Sequence, residues 1–352
     1  VLDEKLLPLP PAEGDYWDPP AEFDGYRIKG AIGKGSMGAV YTAEEMALGR
    51  MVAIKFMGTG FHIDEQQGAE FLLEARAVAQ LQHSNVVAIY RVGEVDNHPY
   101  IAYELLRGRS LDELRSRTHR EILEIGIGLA RGLAAVHERK IVHRDIKPTN
   151  IIFTNNGVVK LLDFGLAKFV ADPTESAEDE SDSSARKPDG NDPEGEFDPY
   201  KTVKVPISSS GKVLMDLANA RRGESVGTPR YMAPEVWKGE PATFRSDVYS
   251  FGVVLYQLYA GQPPHTVKGM EALEQAVLKT DPSRLNAETL LDEELTAIIH
   301  RCLNRDPARR FPSAVELRDA LEAATPERRA TALPEGNPYR SLQPFEASHR
   351  AL

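Results

Sequence analysis

The run His143-Arg144-Asp145-Ile146-Lys147-Pro148-Thr149-Asn150, followed by Asp163-Phe164-Gly165, constrains this chain more than any other feature. It supplies a candidate base in Asp145, a cation for a phosphate in Lys147, and two oxygen ligands for a divalent metal in Asn150 and Asp163. Mg2+ prefers oxygen ligands shared with substrate phosphates. Phosphoryl transfer is mostly positioning plus neutralisation of charge on the moving group. A fold that serves this chemistry must gather Asp145, Asn150 and Asp163, together with Lys55, around one triphosphate.

Bulk properties narrow the setting. The 352 residues hold about two domains or one two-lobed unit, at roughly 150 residues per domain. The net charge, 42 − 53 = −11, argues against nucleic acid or anionic lipid as the main partner. Cys302 is the single cysteine, so no internal disulfide forms, and a reducing, cytoplasmic setting is expected. It reads as a small buried apolar side chain. No run reaches the roughly 18 apolar residues of a membrane helix, and no signal peptide is evident. The chain begins at Val1 rather than Met and is read as part of a longer polypeptide.

Along the chain, residues 1–25 are taken as an extended arm rich in Pro and acidic groups. Strand patterns follow at Tyr26–Gly33, Gly38–Glu44 and Met51–Phe56, with a helix at Asp64–Gln82 and further strands around Val86–Val92 and Tyr100–Glu104. From Leu111 helices dominate. Ile122, Ile125, Leu129, Leu133 and Val136 share one stripe, and Ser246–Tyr259 is apolar nearly all round, stopping at Gly261. Residues 171–200 hold eleven acidic residues against Arg186 and Lys187, too little apolar surface to order a segment. The whole of 171–224 is therefore read as a disordered acidic insertion, with a marginal helix at Val213–Ala220. A linker is expected over 326–352.

The segment Gly33-Lys34-Gly35-Ser36-Met37-Gly38-Ala39-Val40 is either an ordinary glycine-rich hairpin or a phosphate cradle whose amides face the anion. A dinucleotide fold needs a helix directly after the glycines; Ala39–Ala43 has the pattern of a strand. Lys55, at the end of an apolar strand, reads as a snorkelling edge residue or, beside that loop, as a phosphate contact. It then needs an anion. Glu74 in the following helix is the best candidate, with Glu70 the competitor.

On these motifs the sequence closely resembles the eukaryotic-like, Hanks-type serine/threonine protein kinases, in bacterial wording, over about residues 26–322. The resemblance implies an α+β bilobal fold: a small lobe (26–103) of five antiparallel strands and one main helix, a hinge at 104–106, and a larger helical lobe (107–325). It implies ATP and Mg2+ as cofactors, with Mn2+ as substitute, and transfer of the γ-phosphate to Ser or Thr hydroxyls of protein substrates in signalling. Gly33, Gly35 and Gly38 cover the phosphates; Lys55 contacts them and pairs with Glu74. Asp145 orients the acceptor hydroxyl, Lys147 neutralises the γ-phosphate, and Asn150 and Asp163 hold the metal. Ile32, Val40, Ala53 and Ile152 sandwich the adenine, and Glu104 and Leu106 present hinge backbone to it. Tyr103 takes the gatekeeper position and narrows the back pocket. Gly227-Thr228-Pro229-Arg230-Tyr231-Met232-Ala233-Pro234-Glu235 matches the peptide-binding end of the activation segment. Glu235 is expected to pair with Arg310, and Asp247 to hydrogen-bond the catalytic loop. Lys147 with Thr228 points to Ser/Thr as acceptor. His137 and His143 are read as structural.

The sequence departs from the family in the length between Asp163 and Glu235. Arg144 before Asp145 implies a basic pocket filled by a phosphorylated segment. Autophosphorylation is expected within 202–225, at Thr202, Ser208, Ser209, Ser210 or Ser225, through a homodimer acting in trans; a mobile loop without a switch role is the alternative. Asn337–Phe345 resembles the lead-in to STAND-type NTPase modules. Two other classes compete with this reading. A scaffolding pseudokinase usually lacks the base, the metal-binding Asp or the strand lysine, and all are present. A small-molecule phosphotransferase is disfavoured by the intact peptide-binding segment.

Overall fold

The structure, a computed structural model, describes residues 17–35, 38–57, 75, 78–114, 117–163, 228–287 and 290–325. Most of the expected arm, positions 64–74 of the expected helix with Glu70 and Glu74, the expected acidic insertion with its phosphorylation candidates, and the 326–352 tail lie outside these residues.

Alternating apolar positions build the small lobe. Its strands are β1 (Glu22–Phe23), β2 (Tyr26–Gly35), β3 (Gly38–Glu45), β4 (Arg50–Met57), β5 (Ile89–Val95) and β6 (His98–Glu104), in the antiparallel order β1-β2-β3-β4-β6-β5. In β4, Val52, Ile54 and Phe56 point into an aromatic cluster with Phe23, Tyr26, Tyr41 and Tyr100. Side chains alternate along a strand, so Ala53 and Lys55 emerge on the opposite face, toward the cleft. Period two thus places Lys55.

Two expectations shift here. Among the described residues the sheet has six strands rather than five. It also begins before Tyr26, because Asp24 and Gly25 take positive φ (47° and 84°) and turn β1 back on β2. Of the expected arm, the described residues Trp17 and Asp18 are packed rather than extended. Trp17 stacks on His98 at 3.8 Å and meets Phe56 edge-on at 5.2 Å, while Tyr41 donates to Asp18. Aromatic content, not the Pro and acidic groups around it, decides where this segment goes.

The strand expected around Val86–Val92 is also displaced, to Ile89–Val95. Val86 and Val87 are apolar for another reason: they are buried between the lobes. Val86 forms a parallel bridge with Leu161, framed by Val87 N–H to Leu161 O (3.0 Å) and Leu161 N–H to Asn85 O (2.9 Å). The Asn85 side-chain amide donates to Val159 O at 2.9 Å.

The large lobe has a three-stranded sheet, β7 (Gly108–Ser110), β8 (Ile151–Thr154) and β9 (Val159–Leu161), in that order. Its helices are α1 (His119–Glu138), α2 (Pro234–Trp237), α3 (Phe244–Ala260), α4 (Met270–Lys279), α5 (Leu290–Cys302) and α6 (Ala314–Ala323). A reciprocal capping box between Thr118 and Glu121 starts α1. Ile122, Ile125, Leu129 and Leu133 of its predicted stripe are buried against α3, α5 and α6 in one core, while Val136 joins a separate cluster with Val86, Ile89 and Ile101. Gly132 of α1 is required where it stands: a Cβ there would lie 2.6 Å from Asn85 O. α3 is buried nearly all round. It ends at Gly261, whose φ of 73° and N–H to Gln257 O make the left-handed cap expected from the sequence. Its N-cap is Thr243, which leaves Asp247 in the first turn with its carboxylate free for another task.

Candidate active site

The catalytic run lies between α1 and β8, and β9 delivers Asp163 beside it. Two polar groupings face the cleft. Lys55 Nζ reaches Asp163 Oδ2 at 2.7 Å, across 108 positions of sequence. Lys147 Nζ lies 2.9 Å from Asp145 Oδ2, and Asn150 Nδ2 donates to both Asp145 O and Asp145 Oδ2 at 2.9 Å. Both amide protons of Asn150 are therefore committed to Asp145, so its amide oxygen is what it has to offer a cation. Asp163 commits Oδ2 to Lys55 and keeps Oδ1 as an acceptor. One amide oxygen and one carboxylate suit a hard cation that completes its shell with phosphate and water. The donor set thus fits Mg2+ or Mn2+.

Three residues, His143, Leu162 and Asp247, fix the loop. His143 is fully buried; its Nε2–H donates to Leu162 O at 2.8 Å and its Nδ1 accepts Asp145 N–H at 3.3 Å. Burial holds its pKa below the ordinary value, against the opposing pull of Asp247 and Asp145, so the ring stays neutral in this donor–acceptor role. Leu162 N–H donates to Asn150 O at 2.8 Å, joining the two metal-ligand segments through backbone. Asp247 accepts His143 N–H on Oδ2 (2.7 Å) and Arg144 N–H on Oδ1 (2.9 Å), as the resemblance implied. Two successive amides aimed at one carboxylate form a small anion nest. Arg144 and Asp163 both sit at positive φ, 65° and 41°, in the left-handed region that costs a non-glycine residue about 1–2 kcal/mol.

On the nucleotide side, Gly33 pairs with Val40 and Gly35 with Gly38 in a hairpin, and Gly38 has φ 131°. A strand, not a helix, follows the glycines. Among the described residues, a Cβ on Gly33 would meet nothing within 4 Å. Ile32 is 48% exposed, a large aliphatic chain left in water near the half-buried Val40 and Ala53 of the adjoining strands. Ile152 of β8 and Leu106 beyond β6 are likewise half-buried. Tyr103 is buried opposite Ala53; burial first and Asp163 second push its phenol well above the usual range. The Glu104 carboxylate is taken by Lys160 at 2.8 Å, and its N–H by Ala88 O at 2.9 Å. Glu74 lies outside the described residues, so the expected Lys55–Glu74 pair is not among these contacts.

The peptide-binding end is anchored in the core. Arg310 grips Glu235 with two bonds of 2.7 Å, and Ser246 donates to the same carboxylate at 2.7 Å. Burial opposes ionisation of Glu235, but the Arg310 guanidinium and Ser246 outweigh it and lower the pKa. The turn Thr228–Tyr231 is tied to α3 by Ser250 Oγ to Tyr231 O (2.7 Å) and Tyr231 to Gln257 (2.6 Å).

Sequence reasoning missed Lys160, Asn85 and the contact His137 makes with Asp247. Signals existed for two of them. Lys160 sits between Val159 and Leu161 in a short buried strand, and His137 lies four residues after Leu133 on the apolar stripe of α1.

A two-lobed fold with a glycine hairpin over one wall, a strand lysine bonded to Asp163, and the Asp145 loop opposite defines the protein kinases. The chain belongs to that family, in its bacterial Hanks-type serine/threonine branch: the protein kinase domain matches residues 26–186 and 212–321. A probable serine/threonine-protein kinase of Streptomyces coelicolor is 33% identical over 310 residues, 85% of this chain and 39% of that protein. The serine/threonine-protein kinase PknL of Mycobacterium tuberculosis is 32% identical over 317 residues, 88% of this chain and 67% of its own length. The chain thus spans about two fifths of the Streptomyces relative it matches. The solved kinase domain of Mycobacterium tuberculosis PknI shares the fold, with TM-score 0.57 and 22% identity over 86% of this chain and 96% of that one.

Proposed function

We propose that this chain transfers the γ-phosphoryl group of ATP to Ser or Thr hydroxyls of proteins. The convergence of Lys55, Asp163, Asn150, Lys147 and Asp145 on one cleft carries this reading. Asp145 accepts the hydroxyl proton as the acceptor oxygen bonds to phosphorus and the bond to the departing ADP breaks. Lys147, already beside Asp145, offers positive charge to the moving group. Lys55 holds the inner phosphates, and the Gly33–Gly38 hairpin lays backbone over them. Ile32, Val40, Ala53 and Ile152 exclude water from the adenine, with Glu104 and Leu106 fixing its edge through backbone. Asn150 and Asp163 would hold Mg2+, which when bound screens phosphate charge and orients the triphosphate.

The finer expectations belong to the same proposal. Autophosphorylation within 202–225, in trans between two copies, would bring a phosphate to Arg144, whose backbone is already fixed by Asp247. The catalytic unit is proposed to extend back to Trp17. The single buried Cys302 suits a reducing cytoplasm. Among the described residues no helix is long and apolar enough to cross a membrane.

Incubation with γ-labelled ATP, Mg2+ and a generic basic protein tests the assignment. Label is expected on Ser and Thr of the substrate, falling on the order of 10²–10⁴-fold in Asp145→Asn. ATP binding without transfer by the unmodified chain would overturn the enzymatic reading in favour of a scaffold.

A further inference from the structure

Trp17 packs against the aromatic cluster on the face of the small-lobe sheet opposite Lys55. Its ring meets Phe56 edge-on at 5.2 Å and stacks on His98 at 3.8 Å, 9° from parallel. His98 is held in turn, because its Nδ1–H donates to Asp96 O at 2.7 Å. The segment after Trp17 is tied across the sheet. Tyr41 donates to Asp18 at 3.3 Å, Ile28 N–H to Ala21 O at 2.9 Å, and Tyr100 to Asp24 at 2.6 Å. Residues 17–24 are thus a strap fixed at both ends, and at Phe56 it meets the strand that carries Lys55.

Phe56 lies at a junction. It follows Lys55 in β4, and its backbone is paired with Ala39 on one side and Tyr100 on the other. One position away Val40 faces Lys55, and one position the other way Gly38 faces Met57, so Phe56 backs the strand returning from the glycine turn. The hairpin offers the cluster little of its own there. Gly33, Gly35 and Gly38 have no side chain, and Ala31 and Ala39 contribute a methyl each. Phe23, Tyr41 and Tyr100 surround the Phe56 ring, and Trp17 supplies a fourth neighbour. A packed ring keeps one position because neighbours fill the space around it. With the Trp17 ring gone, Phe56 can turn toward the gap, and the end of β4 and the hairpin above it follow.

We propose that Trp17 is a positioning residue for the nucleotide, acting through Phe56 on Lys55 and the Gly33–Gly38 hairpin. The inference rests on the ATP-dependent transfer proposed above. A hairpin displaced for part of the time weakens nucleotide binding by the fraction of chains in the competent arrangement. Once the complex forms, Asp145, Lys147 and Asn150 are unchanged, because the large lobe holds them. The effect of Trp17 therefore falls on the KM for nucleotide rather than on kcat.

Transfer from γ-labelled MgATP to a generic basic protein is measured over a range of MgATP, with rates normalised to folded protein by melting curves. Trp17→Ala is expected to raise the KM for MgATP about three- to tenfold, the scale of one aromatic contact, with kcat within about twofold. A merely structural loss does the reverse: it lowers the amount of active protein and leaves KM alone. Trp17→Phe keeps a ring against Phe56 and is expected within about twofold of the unmodified chain in both constants. In a Phe56→Leu background Trp17→Ala adds less than about twofold to KM, since the route is already cut. The proposal is overturned if Ala leaves KM unmoved, if Phe fails as Ala does, if the loss falls on kcat, or if Ala keeps its full effect beside Phe56→Leu. Should Phe56→Leu not fold, the Ala–Phe comparison decides alone. An unmodified chain that neither binds MgATP nor transfers phosphate overturns the proposed function and this inference together; an active unmodified chain with an unaltered Ala variant overturns this inference alone.

Discussion

Lys55 carries little of the fold and much of the proposed chemistry. Its partner Asp163 has a side chain about one-third exposed, so their ion pair is worth about 1 kcal/mol or less in stability. Lys55→Met is therefore expected to lower transfer by on the order of 10²–10³-fold while leaving the melting temperature nearly unchanged. Normal turnover in that variant would mean that another group holds the phosphates. His143 behaves oppositely, since burial depresses its proton affinity in the fold. Its stabilising contribution is complete above the unfolded pKa of about 6.5 and is lost as pH falls from there toward the folded value. Burial shifts His83, His265 and His300 the same way. The lowered pKa of Glu235 adds a second loss below about 4.3. Urea titrations between pH 8 and 4 should show stability declining from about pH 6.5 downward; a chain that grows more stable from pH 7 to 5.5 would contradict this.

At the level of elements, α1 depends on close approach to the loop that carries Asn85. Gly132→Ala would set a Cβ 2.6 Å from a backbone oxygen, which has no rotamer to yield. The loss is expected to be about 1–3 kcal/mol, read as a lower urea midpoint with unchanged slope. A neutral result would show that α1 can slide on its neighbours. This contact also marks what the residues reveal in advance. The α1 stripe, the Gly261 stop, the β4 alternation and the catalytic run were all legible, because each is a local pattern with a fixed period or spacing. The Val86–Leu161 bridge was not, because an apolar pair in a buried turn has the same composition as a strand. β1 was hidden for the same reason: two residues hold no period. Asp247 was placed through the family likeness, yet its third donor escaped, since nothing local distinguishes a histidine that bonds a carboxylate from one that merely fills space.

The whole molecule balances a tightly packed large lobe against an acidic stretch whose residues have little to bury. Deletion of 174–198 is expected to change the melting temperature by no more than about 2 °C, since ~1 kcal/mol shifts a chain of this size by only a few degrees. A drop of many degrees would show that those residues pack. Among the described residues, Lys55–Asp163 and Lys160–Glu104 are charged links between the lobes whose side chains are no more than about one-third exposed.

The backbone pairing of Val86 with Leu161 has a mechanical consequence. The polypeptide crosses between the lobes at the hinge, 104–106, and the small-lobe segment 85–87 is separately bonded to Leu161 of β9 through main chain. One crossing and one backbone contact define an axle. Opening of the cleft is thereby confined to rocking about the line through them, and shear or swivel of one lobe over the other would have to tear peptide hydrogen bonds.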